Sequence, residues 1–145
     1  MSAGELTPYQ LHGMHPVLAV RDIEKAVDYY RDMLGFHVDF VHGDPPVHAR
    51  VCADPTYSSP TVHIRFEPLE PSAVPNPSVY LWVHVGTGLD ALFETYRDRG
   101  VVIVREPEDR PWGLRQFIIE DCDGYLISFS AEPSAGERAD AADAE

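Results

Sequence analysis

Seven histidines, two cysteines and a surplus of carboxylates are the residues of this chain able to do chemistry unaided, while two tryptophans and seven tyrosines could grip a flat molecule. Cys52 and Cys122 carry no motif around them and read as small core or turn residues with free thiols rather than as nucleophiles. His12, His37, His42 and His48 show no ligand spacing, and no pair of carboxylates stands out as a general acid and base. The aromatic residues are better placed. Along "VYLWVHV" (79–85), Tyr80, Trp82 and His84 alternate onto one face while Leu81, Val83 and Val85 take the other. If the aliphatic side packs on a helix, the aromatic side faces a cleft; the competing reading is that Trp82 plugs the sheet interior. Trp112 stands in "RPWGLRQF" between Pro111, which fixes its own backbone, and Gly113, which permits close approach or an unusual dihedral. An indole presented in this way serves to stack a flat ligand, to anchor a second subunit, or to pack its own loop.

Charge narrows the partners. Against 11 basic side chains stand 24 acidic ones, a formal net charge of −13, which repels phosphate backbones and excludes nucleic acid as the expected partner. A cationic ligand would be attracted, although an acidic surface also serves solubility alone. Part of the excess is local: "AEPSAGERADAADAE", from Ala131, carries five acids and one base and reads as a disordered acidic tail over 133–145. No apolar run approaches the ~20 residues of a membrane span, and Met1 opens no signal-like segment, so a cytoplasmic location without membrane association is expected.

The elements that must position these residues come in duplicate. "HPVLAV" (15–20) is a β-prone run; behind Asp22, a suitable N-cap, Ile23, Ala26, Val27, Tyr30 and Leu34 follow helical spacing up to Gly35. The run at 79–85 is followed likewise by Leu89, Leu92, Phe93 and Tyr96 up to Gly100. "YRDMLG" (30–35) answers "YRDRG" (96–100), roughly 65 residues on. Strands are expected at 36–41, 48–53 and 61–67 after the first helix and at 101–106, 116–121 and 125–130 after the second. The last pair is joined by "DCDGY", where Asp123-Gly124 would supply the positive dihedrals of a tight hairpin. The fold class is therefore α+β: two β-α-β-β-β modules, 14–67 and 79–132, in one domain, curving their sheets around a cleft and joined by a proline-rich linker (68–78).

This pattern resembles the vicinal oxygen chelate superfamily, which includes glyoxalase I, extradiol dioxygenases, methylmalonyl-CoA epimerase, fosfomycin-resistance transferases and bleomycin-resistance proteins. The likeness runs from about 14 to 132 through "HPVLAVRDIEKAVDYYRDMLGF" and "EDCDGY". It is closest to the bleomycin-resistance branch through "PVLAVRD", "LGFHVDFV" and "RPWGLRQF" followed by "DCDGYLISF". Two departures stand out: Cys122 replaces the usual proline of the hairpin turn, and Leu114 looks like one extra residue before the strand.

Enzymes of that superfamily hold a divalent metal at four equivalent strand positions, and the resemblance places these on His15, on His63 (or Arg65 if the register slips by two), on Tyr80 and on Ser128. An open catalytic site needs at least three good imidazole or carboxylate donors. At most two are offered, His15 and His63, with His84 as a possible recruit, so no metal and no cofactor is expected. The resemblance adds Phe40 as an apolar contact with Asp39 beside it as a source of charge, and implies a homodimer, with residues before about 15 exchanged between subunits as an N-terminal arm (1–13).

The expectation is a non-catalytic resistance protein that sequesters a planar, cationic, bleomycin-like natural product through Trp112, Tyr80, Trp82, Phe40, Asp39, His63, Ser128 and Gly113. The alternatives are a metal-dependent lyase, isomerase or dioxygenase using His15 and His63, and a metal-free acid-base enzyme.

Overall fold

In the computed structural model, which describes residues 4–7, 10–11, 13–56, 62–70, 72–73 and 80–133, the chain runs β-α-β-β-β twice. The first module is β1 (Val17–Val20), α1 (Ile23–Asp32), β2 (His37–His42), β3 (His48–Cys52) and β4 (His63–Pro68). The second is β5 (Tyr80–His84), α2 (Leu89–Asp98), β6 (Val102–Asp109), β7 (Arg115–Glu120) and β8 (Leu126–Ala131). Each module forms its own four-stranded mixed sheet, ordered β1-β4-β3-β2 and β5-β8-β7-β6, with the first and last strands parallel. Residues 134–145 of the expected acidic tail, most of the linker, and residues 1–3, 8–9 and 12 of the expected N-terminal arm lie outside the described residues.

Helix α1 starts where Asp22, in extended conformation, accepts the Lys25 amide at 3.1 Å. Its buried stripe of Ile23, Ala26, Val27 and Tyr30 meets Leu18, Val20, Ala49, Val51, Ile64 and Phe66 on one face of the first sheet. In the second module Leu89, Phe93 and Tyr96 of α2 meet Phe117, Ile119, Ile127 and Phe129. Phe117 and Phe129 stack at 5.1 Å, and Tyr96 packs edge-on to Phe129 at 5.5 Å. Burying each such ring stabilises by roughly 1.5–3 kcal/mol before cavity terms.

The repeated tyrosine of "YRD" joins the halves. Tyr30 donates to the Asp121 carboxylate at 2.6 Å, and Tyr96 donates to the Leu34 carbonyl at 2.7 Å. Tyr125 donates to the Ala19 carbonyl, and Asp123 accepts the Arg21 amide. The turn of "DCDGY" is thus the joint between modules. Its geometry differs from the sequence expectation: only Gly124 takes a positive φ, because the Asp121 carboxylate accepts the amides of both Asp123 and Tyr125 and holds Asp123 in an ordinary conformation.

Candidate functional site

Strand β5 places its side chains as alternation demands. Leu81 and Val83 turn toward the core, whereas Tyr80 (42% exposed), Trp82 (41% exposed) and His84 turn outward. The outward reading of Trp82 is the one the structure adopts. Tyr80 and Trp82 meet edge-on at 6.3 Å. They line a cleft of about 480 Å³, closed on its other side by Met14, His15, Pro16, Val62 and His63 from the entry to β1 and the start of β4. That volume suits a drug-sized ligand. Among the described residues no carboxylate lines it: net charge sums over the whole chain, whereas recognition depends on the wall. A hollow of similar size, about 490 Å³, lies between α1 and β2, but its charged residues include Arg31, already held by Asp28 and Asp32.

His15 and His63 stand edge to face at 4.4 Å. Burial first, then the neighbouring His15, Arg50 and Arg65, push the His63 imidazole below its usual range, and its buried Nδ1 has no hydrogen-bond partner among the described residues. On the second module Gln116 donates to the Tyr80 hydroxyl at 3.0 Å and to the buried Ser128 hydroxyl, tying β5, β7 and β8 together. Ser128 therefore lies beneath Tyr80 and Trp82 rather than at the cleft surface.

Strand pairing settles which residue of β4 answers Ser128. Ser128 lies opposite Trp82, two residues beyond Tyr80, and Arg65 lies opposite Val17, two residues beyond His15. The four equivalent positions are thus His15, Arg65, Tyr80 and Ser128. They do not fit a divalent cation: Arg65 brings a permanent positive charge and donates from Nε to the His15 Nε2 lone pair at 3.1 Å, and Ser128 is engaged by Gln116. Among the described residues no three His, Cys, Asp or Glu side chains gather as metal ligands.

Phe40, Asp39, Trp112 and Gly113 do not line this cleft. Phe40 sits on the open face of the first sheet, 5.2 and 5.5 Å from the Arg50 and Arg65 guanidiniums and 4.7 Å from His42. Asp39 is the extra residue of a bulge in β2, and its carboxylate pairs with Arg50. Trp112 is at the tip of the β6–β7 hairpin, 53% exposed, with the Arg110 guanidinium 4.7 Å over its ring. Its loop is built like the "DCDGY" turn: Gly113 donates to the Arg110 carbonyl, Arg110 donates to the Leu114 carbonyl, and Gly113 takes φ 88°. Leu114 closes that five-residue turn. Only a glycine adopts this backbone without strain, which explains the Trp-Gly pair. Both cysteines are free; Cys122 is exposed as a residue, but desolvation of its thiol against the turn, then Asp121 and Asp123, pushes that thiol up, which leaves it a poor nucleophile.

The sequence reading missed Gln116, Met14 and Val62. Gln116 alternates with core residues on β7, and that placement was the available signal.

The sequence pattern of the Glyoxalase/Bleomycin resistance protein/Dioxygenase superfamily matches residues 14–129. The chain belongs to that superfamily. Among solved structures, TioX from Micromonospora sp. ML1 is 27% identical over 83% of this chain and 99% of its own, with a TM-score of 0.64. A glyoxalase/bleomycin resistance protein from Streptomyces sp. CB03234 is 25% identical over 81% and 98%, with a TM-score of 0.63. TnmS3, an antibiotic binding protein from the same Streptomyces strain, is 24% identical over 87% and 99%, with a TM-score of 0.69, and shares the fold. No curated protein matches the sequence. Among the described residues no helix is long and apolar enough to cross a membrane.

Proposed function

We propose that this superfamily member is a cytoplasmic resistance protein that captures a planar natural product, bleomycin-like in being held without chemistry. The observation that carries the proposal is the Tyr80–Trp82 pair, outward-facing on β5 and lining a drug-sized cleft opposite His15 and His63. Two half-exposed rings on a rigid strand are ready to stack a flat molecule, at roughly 1–3 kcal/mol per ring contact. Antibiotic binding by TnmS3, on the same fold, supports the reading. The −13 charge attracts basic groups of a ligand at long range only.

A homodimer completes the site in this reading. Trp112 and Phe40 stand outside the cleft of their own chain, and Leu6, Leu11 and Met14 of the N-terminal segment leave apolar surface uncovered, as an arm that docks on a second copy would. The test is a titration of Trp112→Phe, in which Trp82 is the remaining indole, with bleomycin and other flat antibiotics. Saturable quenching with the antibiotic recovered unchanged is expected. Unaltered fluorescence, or a chemically converted antibiotic, would overturn the proposal.

A further inference from the structure

Of the nine arginines among the described residues, seven contact a carboxylate: Arg21, Arg31, Arg50, Arg97, Arg105, Arg110 and Arg115. Arg99 instead caps the Met33 carbonyl at the end of α1 and is not among the residues lining the cleft. Arg65 is the other exception, and its partners are unusual. Its Nε donates to His15 Nε2 at 3.1 Å and its Nη1 to His48 Nε2 at 3.0 Å. A guanidinium has no acceptor, so both imidazoles must present lone pairs at Nε2 and carry their hydrogens on Nδ1. The Nδ1 of His48 lies 3.8 Å from a Glu67 carboxylate oxygen, which favours that tautomer. Two of the five N–H donors of Arg65 are thereby used, by neutral groups, and its charge faces no carboxylate among the described residues. Arg65 thus stands on a half-buried strand position with no carboxylate partner among the described residues, unlike the seven arginines above.

We propose that Arg65 is an oxyanion anchor: it receives an ionised acidic oxygen, carboxylate or phenolate, of the planar ligand, while His15 and His48 hold the fork in place. The inference rests on the capture reading and names the ligand class, a flat aromatic acid. Arg65 itself, like Phe40, is not among the residues that line the cleft; His15 links it to the cleft, since His15 lines it and accepts from Arg65. The ring of Phe40, 5.5 Å from the same guanidinium, extends the apolar bed along the sheet. Charge-assisted, two-pronged bonds from a fixed guanidinium select a planar oxyanion over a neutral or cationic group of equal size. The arginine supplies, at one of the four equivalent strand positions, the positive charge that a metal would otherwise bring.

Three probes of one ring system test this: 2-naphthoate, 2-naphthamide and 2-naphthylmethylammonium, titrated calorimetrically into the full-length protein with the Trp82 indole signal followed by NMR. The expected result is a preference for the carboxylate of about tenfold or more. It should fall to within about twofold in Arg65→Gln, shrink partly in Arg65→Lys, which keeps the charge without the fork, and persist in Arg99→Gln. Equal binding of all three probes with a shifted Trp82 signal overturns the anchor and leaves capture standing, as does a preference that survives Arg65→Gln. Binding of none overturns both.

Discussion

Across the open face of the first sheet the row of paired residues is Val17, Arg65, Arg50 and Phe40; across the second it is Trp82, Ser128, Ile118 and Arg105. The frames beneath the two rows are alike, with a tyrosine of each helix bonded across to the other module. The rows themselves are not. In the first module charge and imidazole stand at the centre, and the bulge at Asp39 supplies a carboxylate for Arg50 alone. In the second the centre is a neutral network of Gln116, Ser128 and Tyr80 beneath an aromatic edge. A duplicated frame fixes where side chains point and leaves their chemistry free, so one half can offer charge and the other stacking surface to the same occupant.

The frame is most sensitive at Asp121. This carboxylate accepts the Tyr30 hydroxyl and the amides of Asp123 and Tyr125, so Asp121→Ala strands three donors in a buried joint and should cost about 2–4 kcal/mol in urea unfolding. Tyr96→Phe, which removes the corresponding bond of the other helix but strands only the Leu34 carbonyl, should cost about 1 kcal/mol. Similar losses would break the idea that the joint is concentrated in one turn. The joint also titrates. Burial raises the Asp121 pKa despite the Tyr30 and amide bonds that pull it down, so the group contributes fully below the unfolded carboxyl value and less as pH rises through its folded value. Asp121→Asn, which does not ionise, should therefore gain stability relative to the parent protein as pH is raised from 4 to 7 in a series of urea midpoints.

Trp82→Ala addresses the stacking half. Binding of a planar ligand should weaken by about 1–3 kcal/mol, roughly 5- to 150-fold in titration calorimetry, while stability changes by less than about 1 kcal/mol because the ring is already half exposed. Gln116→Ala should reverse that balance. It leaves the buried Ser128 hydroxyl without its donor and should cost about 1–2 kcal/mol of stability by urea unfolding, with a smaller effect on the ligand.

Much of the frame was legible in the chain. Helical spacing behind Asp22, the repeated "YRD" and strict alternation at 79–85 are local signals, and each corresponds to an element whose faces follow directly from its period. What the chain did not disclose is long-range. "DCDGY" reads as a turn, and nothing nearby shows that Asp121 receives Tyr30 from 91 residues away. The choice between His63 and Arg65 depends on register between β1 and β4, a non-local property that one residue type cannot fix. Net charge counts every acid alike, including those already paired with arginines on the surface, so it does not show which charges stand at the cleft.

The smallest expected effect on stability separates the two arginines of the first row. Arg50 holds Asp39, and its side chain is mostly buried, so Arg50→Gln leaves a carboxylate half-stranded and should cost about 1 kcal/mol. Among the described residues the Arg65 guanidinium hydrogen-bonds only to the two imidazole nitrogens, which water can satisfy once it is gone, and otherwise meets the exposed face of the Phe40 ring, so Arg65→Gln should change stability by no more than about 0.5 kcal/mol. Paired urea unfolding curves at one pH give the comparison. Should Arg65→Gln prove the more damaging of the two, the guanidinium is a strut of the sheet, and the contrast between a structural arginine and a ligand-facing one disappears.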